Sequence, residues 1–122
     1  MPQGGTAVEA AAQHGHLEIV RLLGSCGAEL DVQSNTSYTP LIAAAGHGHA
    51  DVCQFLIKRK VRLTSQTVDG HTALHLAVAR RSQPVVEVLV RAGMDITITD
   101  NEGLTAIHLA ARNGDFEVVE YL

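Results

Sequence analysis

The chain has 122 residues and a formal net charge of −4, with 46% hydrophobic residues but only 3% aromatic ones and no Trp. The acidic balance argues against a strongly basic nucleic-acid surface spread over the whole chain, and with so few large rings the core has to be built from closely packed Ala, Val, Leu and Ile. No apolar run approaches the roughly 20 residues of a membrane span and no signal-peptide core is present, while Cys26 and Cys53 read as two free thiols of a reducing compartment; the expectation is a soluble, intracellular chain, in cytoplasm or nucleus.

From the N-terminus, Thr6 opens the segment TAVEAA, and related segments follow at Thr39 (TPLIAA), Thr72 (TALHLA) and Thr105 (TAIHLA), each 33 residues after the last. A fixed period of this length marks a solenoid, whose unit cannot bury its apolar face alone. In unit one, Gly4 suits a turn, Thr6 and Glu9 have capping-box spacing, and Ala10, Ala11 and Ala12 predict a short first helix of small side chains. Gly15 turns the chain back. Ile19, Val20, Leu22 and Leu23 then form one apolar stripe at helical spacing, closed by Gly27. The segment LDVQSNTSY predicts a β-turn or hairpin leading to the next threonine.

Unit two repeats the plan with Thr39 as N-cap, Pro40 at the first helical position, Ala43–Ala45, Gly48, and the stripe Val52, Cys53, Phe55 and Leu56. Lys60 stands where Gly27 and Gly93 close the second helix of other units. In unit three, Thr72, Leu76, Ala77 and Val78 begin the first helix, and Arg81 takes the place of the turn glycine. If these positions need positive φ, each costs about 1–2 kcal/mol. Ser82 is placed to cap the second helix, Pro84 is tolerable in its first turn, and Val85, Val86, Val88 and Leu89 carry the stripe. Unit four runs through Thr105, Leu109–Ala111, Gly114, Val118, Val119, Tyr121 and Leu122. The units are about 1–33, 34–66, 67–99 and 100–122, the last one truncated, and more repeats are expected after Leu122.

These segments resemble the ankyrin-repeat family, on Thr39–Pro40–Leu41, Thr72–Ala73–Leu74–His75, Thr105–Ala106–Ile107–His108, Gly15–His16, Gly48–His49, Gly27–Ala28, and Asp69–Gly70 with Glu102–Gly103 for the acidic–glycine part of the pattern. The resemblance covers the whole chain in nearly four copies. It implies an all-α solenoid of stacked helix–turn–helix units with β-hairpin or turn tips, and a single domain that binds proteins and is not an enzyme.

The residues themselves point away from chemistry at a pocket. His14–Gly15–His16 and His47–Gly48–His49 invite a metal reading, but zinc wants four converging ligands and the turns supply no second set; no metal or cofactor is expected. His75 and His108 are expected to bond the capping threonine and a neighbouring backbone. Cys53 reads as a packed thiol, Cys26 has no base indicated beside it, and no phosphate loop or nucleophile elbow is present. Seven of the nine basic residues lie in the middle of the chain, namely Lys58, Arg59, Lys60, Arg62, Arg80, Arg81 and Arg91. They read chiefly as helix-end and solvated charges, with a small anionic ligand or nucleic acid as the alternative.

The remaining candidate is a surface. The family resemblance implies that tips and first helices line a concave binding side, which selects Gln33, Asn35, Thr36 and Tyr38 from the first tip, Gln66, Val68, Asp69 and His71 from the second, and Thr99, Asn101, Glu102 and Leu104 from the third. The first helices add His14, His47, Arg80, Arg112 and Asn113. Tyr38 and Leu104 are the expected anchors, as large apolar groups on tips. The function expected is a protein–protein interaction module, a scaffold or targeting segment, monomeric in isolation; a regulator that sequesters an enzyme or transcription factor is the alternative.

Overall fold

The computed structural model describes residues 3–34 and 37–122, apart from the side chains of residues 3–6. Eight helices follow one another among the described residues: α1 (Gln3–Gln13), α2 (Leu17–Ser25), α3 (Pro40–Gly46), α4 (Ala50–Lys58), α5 (Ala73–Ala79), α6 (Gln83–Arg91), α7 (Ala106–Asn113) and α8 (Phe116–Tyr121). They pair within units as α1 with α2, α3 with α4, α5 with α6 and α7 with α8. Between units, α1 packs on α3, α3 on α5 and α5 on α7, while α2, α4, α6 and α8 make a second row. The result is an all-α stack two helices thick.

The capping chemistry expected of the threonines holds in units two to four. Thr39 Oγ1 accepts from the Ile42 N–H at 3.2 Å with Pro40 at the first helical position, and Thr72 and Thr105 each form a capping box with the histidine three residues on. Unit one differs. Helix α1 begins at Gln3, so Gly4 and Thr6 lie inside it rather than before it. In the other units a tip turn delivers the threonine in extended backbone; here the preceding residues continue the helix. Ser82 precedes α6 but makes no side-chain cap, and Pro84 sits in the first turn, where the missing N–H has no partner to lose.

The inner row stacks closely because its facing residues are small: Ala11, Ala12, Ala43, Ala44, Ala45, Ala77 and Ala110 are all buried. Between the rows lie Val20, Leu41, Ile42, Val52, Leu56, Leu74, Val78, Val85, Val86, Leu89 and Val118. Each such side chain contributes about 1.5–3 kcal/mol when covered. Coverage comes from the next layer: Val8, Leu41 and Leu74, two residues past their threonines, are sealed, whereas Ile107 at the same place is 40% exposed with no described layer upon it.

Cys53 is buried in this stack, and burial, with the Asp51 carboxylate adding to it, pushes its thiol up to about 12. Cys26 is exposed. A thiol reagent at neutral pH is therefore expected to label Cys26 rapidly and Cys53 only on unfolding; equal labelling rates would contradict this packing.

Lys60 and Arg81 do adopt the left-handed backbone of the glycines they replace, Lys60 with φ of 64° against 90° and 91° at Gly27 and Gly93, and Arg81 with 61° against 74°, 78° and 70° at Gly15, Gly48 and Gly114. The Arg81 guanidinium also donates to the Asn113 carbonyl of the next unit, which offsets part of its strain. Lys60→Gly is expected to raise stability by about 1 kcal/mol and Arg81→Gly by less; denaturant midpoints of the two variants measure the difference.

Candidate partner-binding face

Each tip is a tight turn rather than an extended hairpin. At the second tip the Thr67 N–H donates to the His71 carbonyl at 2.9 Å and the Gly70 N–H to the Thr67 carbonyl at 2.8 Å, with Gly70 at positive φ. The third tip repeats both bonds on Asp100, Gly103 and Leu104, and the first on Ser34, Ser37 and Tyr38. No strand forms among the described residues, because one backbone pair closes each turn.

Side-chain amides tie successive tips together at the repeat interval. Gln33 Nε2 donates to the Ser37 carbonyl at 2.9 Å and, more weakly, to the Gln66 carbonyl at 3.4 Å. Gln66 Nε2 donates to the Gly70 carbonyl at 2.7 Å and the Thr99 carbonyl at 3.1 Å. Asn101 Nδ2 donates to the Val68 carbonyl at 2.8 Å, and the Asn101 N–H to the Asp69 carbonyl at 3.1 Å. The Gln33, Gln66 and Asn101 amides thus hold the row of tips in register, with Thr99 taking part only through its backbone carbonyl.

The outward groups are different ones. Val68 is 66% exposed, and Asp69, Glu102, Arg80, Arg112 and His14 are exposed as well. Tyr38 and Leu104 are half-buried and packed against the core, so the premise that they stand on exposed tips does not hold. Both precede the threonine, where the turn's closing backbone bond directs the side chain down onto the first helix. Asn113 is half-buried, and its carbonyl is taken by Arg81. Asn35 and Thr36 lie outside the described residues.

Beneath the first tip, Tyr38, Glu9, Gln13, Ala43 and His47 surround an open depression of about 240 Å³. The His47 Nδ1–H donates to the Ala43 carbonyl at 2.9 Å, which fixes its ring. Burial pushes the Glu9 carboxyl up from its ordinary range, against a side-chain hydrogen bond with Ser34. Glu9, which reads in sequence as the capping-box partner of Thr6, and Gln13 both line this depression.

The histidines divide between frame and face. His75 Nδ1 accepts from the Thr72 N–H at 3.1 Å, so its Nε2 carries the proton and donates to the Leu104 carbonyl of the next unit at 2.9 Å. This is the double role expected of it. His108 forms the same local box through Nδ1 with the Thr105 N–H at 3.1 Å. His49 Nε2 bonds the Gln13 carbonyl at 2.9 Å, and its ring approaches Gly15 so closely that a Cβ there would stand 2.6 Å from it.

Asp100 organises the third tip. Its carboxylate is almost wholly buried and accepts from the N–H groups of Glu102 at 2.9 Å and Leu104 at 3.0 Å, with His71 Nε2 at 3.3 Å. The matching position in the second tip is Thr67, whose Oγ1 accepts from Asp69 and His71. The signal was a short oxygen-bearing side chain recurring as Ser34, Thr67 and Asp100 at the repeat interval. The Leu104 N–H foremost, then that of Glu102, with the His71 and His75 rings beside them, holds the Asp100 carboxyl below its usual range despite burial. A depressed carboxyl stabilises the fold above the unfolded pKa of about 4 and loses that contribution as pH falls through the folded value. Asp100→Ala is expected to cost about 1.5 kcal/mol at neutral pH and to flatten the fall of Tm below about pH 4. Thermal melts of both proteins across that range check it.

No curated protein matches the chain in sequence. The family model for ankyrin repeats in three copies matches residues 8–100 and 60–122. With the repeated helix pairs and turn tips just described, the chain belongs to the ankyrin-repeat family.

Proposed function

We propose that the chain is a protein–protein interaction module that grips its partner along the row of tips and the adjoining first helices. Ankyrin repeats are generally modules of this kind. The observation that carries the reading is the amide ladder through Gln33, Gln66 and Asn101. It holds the tips rigid while leaving Val68, Asp69 and Glu102 pointing outward. A preorganised row loses little freedom on binding, so more of the contact energy appears as affinity.

In this reading Val68 is the apolar anchor, and the Tyr38 depression receives a second group beside it. Arg80 and Arg112 contribute charge at the ends of the first helices. Gln33, Gln66 and Asn101 act as the frame through their side-chain amides, and their substitution weakens binding through lost register.

A pull-down from cell extract with the wild-type chain, followed by affinity measurement on the captured partner, tests the assignment. Val68→Asp is expected to weaken binding at least about tenfold, with helical content and Tm unchanged. Undiminished affinity in Val68→Asp and Tyr38→Ala together would overturn the placement on this face.

A further inference from the structure

The basic residues form two groups rather than one. Arg80 and Arg81 lie in the turn between α5 and α6, whereas Arg91 lies at the far end of α6, about 13 Å away at 1.5 Å per helical residue. Lys58, Arg59, Lys60 and Arg62 stand at and just after the corresponding end of α4. The second group is joined there by Arg21 of α2.

Arg21 and Arg59 converge on one aromatic ring. Their guanidinium carbons lie 6.0 and 5.6 Å from the centroid of Phe55, within cation–π range. Together with Leu22, Glu18 and Ser25 they line a groove of about 430 Å³ between α2 and α4. Neither guanidinium joins a salt bridge among the described residues, where the ion pairs are His71 with Asp100 and Arg91 with Glu87. Arg59 is also given room: a Cβ at Gly24 would stand 3.3 Å from its Nη1.

The repeat framework does not require this arrangement. One unit later, in the gap between α4 and α6, the places of Arg21, Phe55 and Arg59 are held by Gln54, Val88 and Ala92. Next to Arg59, Lys60 keeps a cation at a left-handed position where two other units place glycine.

We infer that the groove between α2 and α4 is a second docking site, which takes an acidic peptide segment carrying an apolar side chain. Two guanidiniums outside any salt bridge among the described residues offer planar forks to carboxylates, and Leu22, 62% exposed, supplies the apolar contact. Nucleic acid fits less well. The guanidiniums already occupy the neighbourhood of the groove's ring, on which a base would have to stack. The site is separate from the tip row and does not rest on that reading.

Fluorescence anisotropy of the 122-residue chain with a short fluorescein-labelled peptide of alternating glutamate and leucine tests this. The peptide is expected to bind, with affinity falling as salt rises and dropping about tenfold or more in Arg21→Glu and in Arg59→Glu. Val68→Asp and Tyr38→Ala are expected to leave it unchanged, which separates this site from the tips. Both arginine variants are checked by circular dichroism. Because Arg59 packs over Gly24, Arg21→Glu alone decides the matter if Arg59→Glu fails to fold. Unchanged affinity in Arg21→Glu overturns the proposal. So does equal binding of a glutamine–leucine peptide, or tighter binding of single-stranded oligouridine than of the acidic peptide.

Discussion

Each layer of this protein is covered by the one beside it, and that adjacency carries the structure. Among the described residues, the main helix contacts run within a unit or to the unit beside it, and the buried leucines and valines join into one cluster through these neighbours. The link between units three and four shows the principle at the level of one side chain. His75 caps its own helix with Nδ1 and donates through Nε2 to the Leu104 carbonyl. Local and inter-unit order are thereby held by the two nitrogens of one ring. Stability is then close to a sum of unit and neighbour contributions, as expected for a one-dimensional array.

The same periodicity builds the tips. A bond from Gln33 to the Gln66 carbonyl recurs from Gln66 to the Thr99 carbonyl, because translation by one unit maps donor onto donor and acceptor onto acceptor. Asn101 enters the ladder from another register and reaches back to Val68. A turn closed by a single backbone pair would otherwise be free to fluctuate. Side chains that look like a variable binding surface in sequence are thus partly the means of holding that surface still.

What was legible in the sequence is what is local and repeated. The threonine caps, the glycine turns, the left-handed backbone at Lys60 and Arg81 and the double role of His75 all follow from position within a 33-residue frame. What was not legible depends on which neighbour covers a residue. Tyr38 and Leu104 read as tip anchors because nothing in the pattern shows that the turn directs them onto the core. Glu102 lies next to the tip glycine, whereas the carboxylate that gathers the backbone donors is that of Asp100. Thr6 carries a good capping pattern, but α1 runs through it, since a cap forms only where the chain before it is held extended.

The charge distribution was the least legible feature, because seven cations in the middle of the chain separate into two groups in space. Antiparallel helices send Arg80 and Arg81 to one end of the pair and Lys58, Arg59 and Arg91 to the other. The first group adjoins the first-helix row and the second adjoins the gaps of the second-helix row. Two rows of helices in a plate present two sides, and a rigid plate transmits little between them. A ligand on the α2–α4 groove and a protein along the tips would touch different rows of the same layers. Their free energies of binding should therefore add, as they do for well-separated sites, unless one of them alters the stacking that both rely on.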